Sequence, residues 1–318
     1  MGGGDCHVVR LWGGIKLPLV GFGTAAFPYN GERIEQAVGT ALEIGYRHFD
    51  TAKIYGSETA VGRGLAKALS EGVVKREDIF VTSKLWGSDH HDPVGALRQT
   101  LKNLEMEYLD MFLVHWPAKL KACASYPVPA EEDFECLDME STWAGMERCV
   151  ELGLCKCIGL SNFSCTKIDL LLQHASIPPA VNQVEMHPLW RQNKLRDFCG
   201  ERKIHVSAYS PLGGPGSSWG SMAVVEHPII KSIALKHTAT PAQVALRWGL
   251  DKGASVITKS FNPERMKESL GPLELQLDED DFTEIERLEE YKLMRGEFLV
   301  NDTTSPYKSI QELWDGEI

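Results

Sequence analysis

No run of eighteen apolar residues occurs in the 318-residue chain, so no membrane-spanning helix is expected. The opening "MGGGDCHVVRLW" lacks the charged and apolar regions of a secretory signal, and Cys6 stands where a myristoylation signal carries Ser or Thr. Both absences point to a cytoplasmic protein. A basic excess is also lacking: 33 Lys and Arg face 44 Asp and Glu, a net charge of −11. That balance argues against nucleic acid as a partner and requires any anionic ligand to find a local basic pocket. A disulfide framework is missing, since the 8 cysteines are scattered without paired spacing, which suits reduced thiols. Cys155 and Cys157 would share one face of a strand, yet no second Cys/His pair lies at ligand spacing, so no metal is expected. No Ser-, Gly- or Pro-rich linker divides the chain, so residues 1–318 are expected to form one domain.

What is present is an alternation. Strand-like runs fall at 18–25, 46–52, 79–86, 111–116, 156–162, 180–186, 205–211 and 255–260, with helical patterns between them. Ile34, Val38, Ala41 and Leu42 recur at helix spacing, and Asp92-Pro93 reads as an N-cap followed by Leu97, Leu101 and Leu104 on one face. Eight such βα units predict a single (β/α)8 TIM barrel over about 18–290. A β-hairpin over 8–18 precedes it. Long loops at 117–139 and 211–228 follow strands four and seven and would overhang the C-terminal face, and the tail 291–318 would fold over the same face. "GFGTAA" (Gly21, Gly23, Ala26) satisfies a dinucleotide fingerprint, but Phe27-Pro28-Tyr29-Asn30-Gly31 breaks the chain where the required helix should run. A barrel strand leading into a loop is the better reading.

The stretch "HFDTAKIYGSE" then carries the chemistry. Asp50 closes strand two, Tyr55 follows in its loop, Lys84 lies near the end of strand three and His115 near the end of strand four. Singly, a snorkelling lysine, a core histidine or a packing tyrosine would be ordinary. At successive strand ends they can converge on one rim. Lys84, kept charged by Asp50, is expected to lower the Tyr55 pKa, making the phenol a proton donor, while His115 orients a bound carbonyl oxygen. No nucleophile with a paired base accompanies them, so a cofactor must supply the hydride. Asn262 and Pro263 open a short helix flanked by Lys259 and Arg265, a cationic spot on an acidic protein.

The motifs "DTAKIYGSE", "TSKLW", "LVHWP", "IGLSNF", "VNQVEMHP", "AYSPLG" and "TKSFNPERMKES" occur in the order and spacing of the aldo-keto reductases, and the chain resembles that family from about residue 8 to 290. It is most similar to the plant branch that includes codeinone reductase, chalcone reductase and deoxymugineic acid synthase. The resemblance implies an NADPH-dependent reductase of aldehydes or ketones, monomeric, acting on a small-molecule carbonyl in specialised metabolism or detoxification. It implies Asp50, Tyr55, Lys84 and His115 as the catalytic set. NADPH/NADP+ would be held by Thr24, Asp50, Ser161, Asn162, Gln183, Tyr209, Ser210, Leu212, Lys259, Ser260, Phe261, Arg265, Glu268 and Ser269, the last replacing an Asn common in the family. Phe27, Trp86, Trp116 and Trp219, with the tail around Leu299 to Tyr307, would form the substrate pocket. Ala25 or Ala26 replaces the bulky Trp that many relatives carry in the first loop. An alternative within the family is a cofactor-bound interaction subunit of the channel β-subunit type.

Overall fold

The computed structural model describes residues 7–318. Cys6 and the myristoylation question therefore lie outside the described residues. Strands β1 (Val8–Arg10) and β2 (Lys16–Pro18) pair antiparallel as the expected hairpin. The barrel follows: β3 (Val20–Gly23), β4 (His48–Asp50), β5 (Phe80–Leu85) and β6 (Leu109–Val114), then, after a small inserted hairpin of β7 (Lys119–Leu120) and β8 (Phe134–Glu135), β9 (Cys155–Ser161), β10 (Val181–Glu185), β11 (His205–Tyr209) and β12 (Ser255–Thr258). Neighbouring barrel strands are all parallel, and β12 pairs with β3 to close the ring. The eight expected strands are these eight. They read as apolar runs because a parallel sheet is buried on both faces.

Helices follow the strands around the ring. They are α1 (Gly31–Ile44), α2 (Glu58–Ser70), α3 (Pro93–Leu104), α4 (Met139–Glu151), α5 (Cys165–Leu172), α6 (Asn193–Glu201), α7 (Ala223–Glu226), α8 (Pro228–Lys236), α9 (Pro241–Asp251), α10 (Pro263–Glu268), α11 (Glu279–Glu286) and α12 (Ile310–Leu313). The short α12 packs with the tail against Trp86 and Trp116. Helix α1 buries Ile34, Val38, Ala41 and Leu42 as its spacing predicts, and begins only after the Phe27–Asn30 break, which removes the dinucleotide-fingerprint reading. In α3 the Asp92 carboxylate caps the Gly95 N–H and Leu97, Leu101 and Leu104 are buried.

The barrel interior is unusually polar near its base. His48 and Thr82 hydrogen-bond at 3.0 Å, as do His205 and Ser255. Gly21 makes room for that layer: a Cβ there would meet His48 Nδ1 at 2.7 Å and Ile257 Cδ1 at 2.6 Å. Burial pushes the His48 and His205 imidazoles down to about 4, so both pack as neutral rings.

Candidate active site

At the C-terminal rim the four strand-end residues meet. Lys84 is 1% exposed, and its ammonium donates to Asp50 Oδ1 at 2.6 Å, to the Thr51 carbonyl at 3.0 Å and to the Tyr55 hydroxyl at 3.4 Å. The other Asp50 oxygen accepts from Gln183 Nε2 at 2.8 Å, so one carboxylate links Lys84 and Tyr55 to β10. Tyr55 ends a short 3-10 turn, Lys53–Tyr55, closed by Gly56 at φ 65°, a backbone angle that favours glycine. Ser57 fixes the start of the next helix through its hydroxyl, 2.8 Å from Thr51 Oγ1 and 3.0 Å from Thr24 Oγ1. His115 lies just beyond β6, its ring edge-on to Tyr55 and to Trp86, with centroids 5.6 Å away in each case.

Two electrostatic outcomes follow from burial. Desolvation acts hardest on the Lys84 ammonium, but Asp50 and Tyr55 more than offset it, and its pKa is raised, so it stays charged. The expectation for Tyr55 is corrected. Burial raises its pKa and outweighs the lowering by Lys84, so the net direction is upward and the phenol is held protonated. The Lys84 ammonium, 3.4 Å away, is placed to stabilise any negative charge on the phenol oxygen. His115 is pushed well below its ordinary value by burial and by Lys84, leaving a neutral ring whose buried Nδ1 has no partner.

Asp50, Tyr55 and His115 line a cavity of about 550 Å³, and the buried Lys84 lies behind them. Of the residues expected to hold a cofactor, Thr24, Asp50, Ser161, Asn162, Gln183, Tyr209, Ser210, Leu212 and Lys259 line it. Asn162 and Ser210 hold positive φ angles of 64° and 48° without being glycine, a cost that structures concentrate at functional sites. The Asn162 amide donates to the His115 carbonyl at 3.0 Å and accepts from the Tyr209 hydroxyl at 2.8 Å. Ser260, Phe261, Arg265, Glu268 and Ser269 are not among the lining residues and lie past Lys259, at or in α10. There Asn262 caps the Arg265 N–H as expected, Glu268 accepts from the Thr240 hydroxyl, and the Ser269 hydroxyl bonds back to the Arg265 carbonyl at 2.9 Å. Lys259 and Arg265 have no ion-pair partner among the described residues. Nor does Arg33, which sequence reasoning missed and which stacks 4.8 Å from the Phe261 ring centroid.

Phe27, Trp86, Trp116 and Trp219 all line the cavity, and Ala25, not Ala26, does so in the first loop. The tail differs from expectation. Met294, Glu297 and Phe298 face the cavity, whereas Leu299 and Tyr307 are buried behind them, with the Tyr307 hydroxyl donating to the Pro117 carbonyl at 2.6 Å. The register is set by Glu185, fully buried at the end of β10, which accepts from the Leu293 and Met294 N–H groups at 2.8 and 2.7 Å. Lys292 Nζ stands 3.8 Å from the same carboxylate and 3.9 Å over the Trp314 ring. Spacing also missed one metal-like cluster, His237, Asp278 and Asp281, whose ligand atoms lie within 4.8 Å. Lys236 is bound to both aspartates at 2.6 and 2.8 Å, and its ammonium offsets one of their two charges.

Residues 19–290 match the family model for the aldo/keto reductase family. The chain belongs to that family. It is 48% identical over 306 residues to the (1S)-1,7-diacetoxy-luvungin A aldo-keto reductase of Citrus sinensis, covering 95% of each chain. It is 46% identical over 321 residues to deoxymugineic acid synthase 1 of Hordeum vulgare, covering 100% of both. Among solved structures, the aldose reductase from Schistosoma japonicum superposes with a TM-score of 0.86 at 34% identity, over 95% of this chain and 99% of that one. As an aldo/keto reductase the chain is an oxidoreductase with plant relatives, on the barrel the family uses. Among the described residues no helix is long and apolar enough to cross a membrane.

Proposed function

We propose that this aldo/keto reductase reduces an aldehyde or ketone to the alcohol with NADPH, and that Tyr55 is the general acid. The observation that carries the reading is the buried chain Gln183–Asp50–Lys84–Tyr55 at the floor of an otherwise largely apolar cavity. When bound, NADPH supplies the hydride that adds to the carbonyl carbon. As that carbon accepts the hydride its oxygen gains negative charge, and the neutral His115 ring can donate one hydrogen bond to it. The Tyr55 proton passes to the oxygen, and the phenolate left behind lies 3.4 Å from the Lys84 ammonium, whose charge Asp50 maintains. The raised Tyr55 pKa keeps the proton in place until that moment.

The donor set fits the cofactor. Lys259, Arg265 and Arg33 are cations without carboxylate partners on a chain of net charge −11, which suits the additional phosphate that distinguishes NADPH from NADH. Two named activities of relatives bracket the substrate, a luvungin derivative in one and deoxymugineic acid formation in the other. Specialised-metabolite carbonyl reduction in the cytoplasm by a monomer is the reading for this chain. No observation favours an interaction-subunit role.

The test is NADPH oxidation with a panel of carbonyl compounds, comparing wild type with Tyr55→Phe. Turnover should fall by about a thousandfold or more while NADPH still quenches the protein fluorescence. Equal turnover in the two proteins would remove Tyr55 as the acid, and absence of NADPH binding to wild type would remove the reductase reading.

A further inference from the structure

We infer that the substrate is a neutral, rigid, largely apolar ketone whose far end rests on an exposed apolar rim outside the cavity, an inference that rests on the reductase reading above. The space near Tyr55 and His115 is walled by Ile54, Trp86, Trp116, Met294 and Phe298. The walls are pre-packed: Trp86 stacks on Phe298 with centroids 6.5 Å apart, and Trp116 meets Phe298 edge-on at 5.4 Å and Trp314 at 5.9 Å. Surfaces fixed in this way reward a rigid partner, because neither side loses much rotamer freedom on contact.

Charge sorts the substrates further. Of the charged side chains lining the cavity, Asp50 is bound to Lys84, and Lys259 belongs to the phosphate end. That leaves Glu297 on the substrate side, its carboxylate 3.9 Å from Arg295 Nε. A carboxylate-bearing substrate would give up its water here, meet no lining cation other than Lys259 at the phosphate end, and face a like charge at Glu297. The mouth carries the remaining signal. Phe27 and Val128 line it while 60% and 58% exposed. The Val128 loop is anchored by the Tyr126 hydroxyl, which donates to the Ile54 carbonyl in the turn that bears Tyr55. Nicotinamide-side residues Gln183, Asn162 and Tyr209 share the same 550 Å³, so a polycyclic ketone that places its carbonyl at Tyr55 must extend over this rim. Exposed apolar groups beside a cavity mark a surface meant to be covered.

The experiment compares NADPH oxidation by the full-length enzyme with androstanone, para-nitrobenzaldehyde and alpha-ketoglutarate. Androstanone should exceed alpha-ketoglutarate in kcat/KM by about a hundredfold or more. Phe27→Ala and Val128→Asp should each lower the ratio of androstanone to para-nitrobenzaldehyde by roughly tenfold, and Glu297→Gln should raise turnover of alpha-ketoglutarate. Androstanone no faster than the keto acid, or rim variants that leave the ratio unchanged, would overturn the inference. Para-nitrobenzaldehyde turnover that requires Tyr55 keeps the reductase reading in that case, whereas turnover of no probe at all removes both.

Discussion

Replacing Asp50 by Asn should separate what the buried pair does for the fold from what it does for the reaction. Asp50 serves two donors, the Lys84 ammonium at 2.6 Å and the Gln183 amide at 2.8 Å. An amide side chain has one oxygen, so one of those donors would face an NH2 group. Lys84 would then be a buried cation without a counterion, and removing one partner of such a pair costs about 3–5 kcal/mol. An upper bound comes from the alternative open to lysine: it can release its proton, at a cost of about 1.4 kcal/mol per unit between pH 7 and its reference pKa near 10.4, or roughly 4.6 kcal/mol. The two figures agree. With an unfolding entropy of about 2.1 cal/mol/K per residue over 318 residues, a loss of that size lowers Tm by roughly 4–8 °C.

The pH dependence is the sharper test. In the variant, the unfolded chain binds a proton on Lys84 that the folded chain has released, so variant stability rises with pH up to about 10. The Tm deficit relative to wild type should therefore shrink between pH 7 and pH 9, measured by differential scanning calorimetry. The double variant Asp50→Asn with Lys84→Met should recover much of the Tm at pH 7 while turnover stays absent. A deficit that is the same at both pH values, or no deficit, would refute the account of Lys84 as a charged group held by Asp50.

Two further outcomes follow from the same structure. Lys53 lies three residues from Asp50 but points away, bound to Asp89 at 2.6 Å and exposed, so Lys53→Ala should keep turnover within about twofold of wild type and cost less than about 1 kcal/mol by urea unfolding; loss of activity would mean that the wrong lysine has been assigned. Burial depresses His48 to about 4, His90 to about 3 and His205 to about 4, so each binds a proton in the unfolded chain near pH 6.5 but not in the fold until far lower pH. Stability should thus be fully present above pH 6.5 and fall as pH drops toward 4, by about 1.4 kcal/mol per unit for each histidine; a Tm flat from pH 7 to pH 5 would contradict it.

The sequence made the barrel legible because strands buried on both faces read as apolar runs, and polar interruptions at their ends stand out. Asp50, Lys84 and His115 were visible for that reason. Their depth was not visible, and depth is what reversed the sign for Tyr55: an ammonium 3.4 Å away lowers a phenol pKa less than full desolvation raises it. The tail misled for a different reason. Residues 291–318 have no strand or long helix to fix their phase, so the family resemblance pointed only to the tail around Leu299 to Tyr307 as pocket wall. A carboxylate on β10 chose Met294 and Phe298 instead. The cluster of His237, Asp278 and Asp281 was hidden by forty residues of intervening chain, and its binding of Lys236 is a matter of packing alone.

The Glu185 anchor has an evolutionary reading. It grips the tail through two main-chain N–H groups, which every residue except proline provides. The wall beyond position 294 can therefore exchange its side chains without losing its attachment, while the Asp50, Lys84 and Tyr55 cluster keeps its own set of bonds through Gln183. The part of the cavity wall that the tail supplies, Met294 and Phe298, is thus held apart from the bonds that hold Asp50, and the two meet on β10, where Glu185 lies two residues beyond Gln183. Side chains beyond position 294 can therefore be exchanged while the main-chain attachment of the tail is kept.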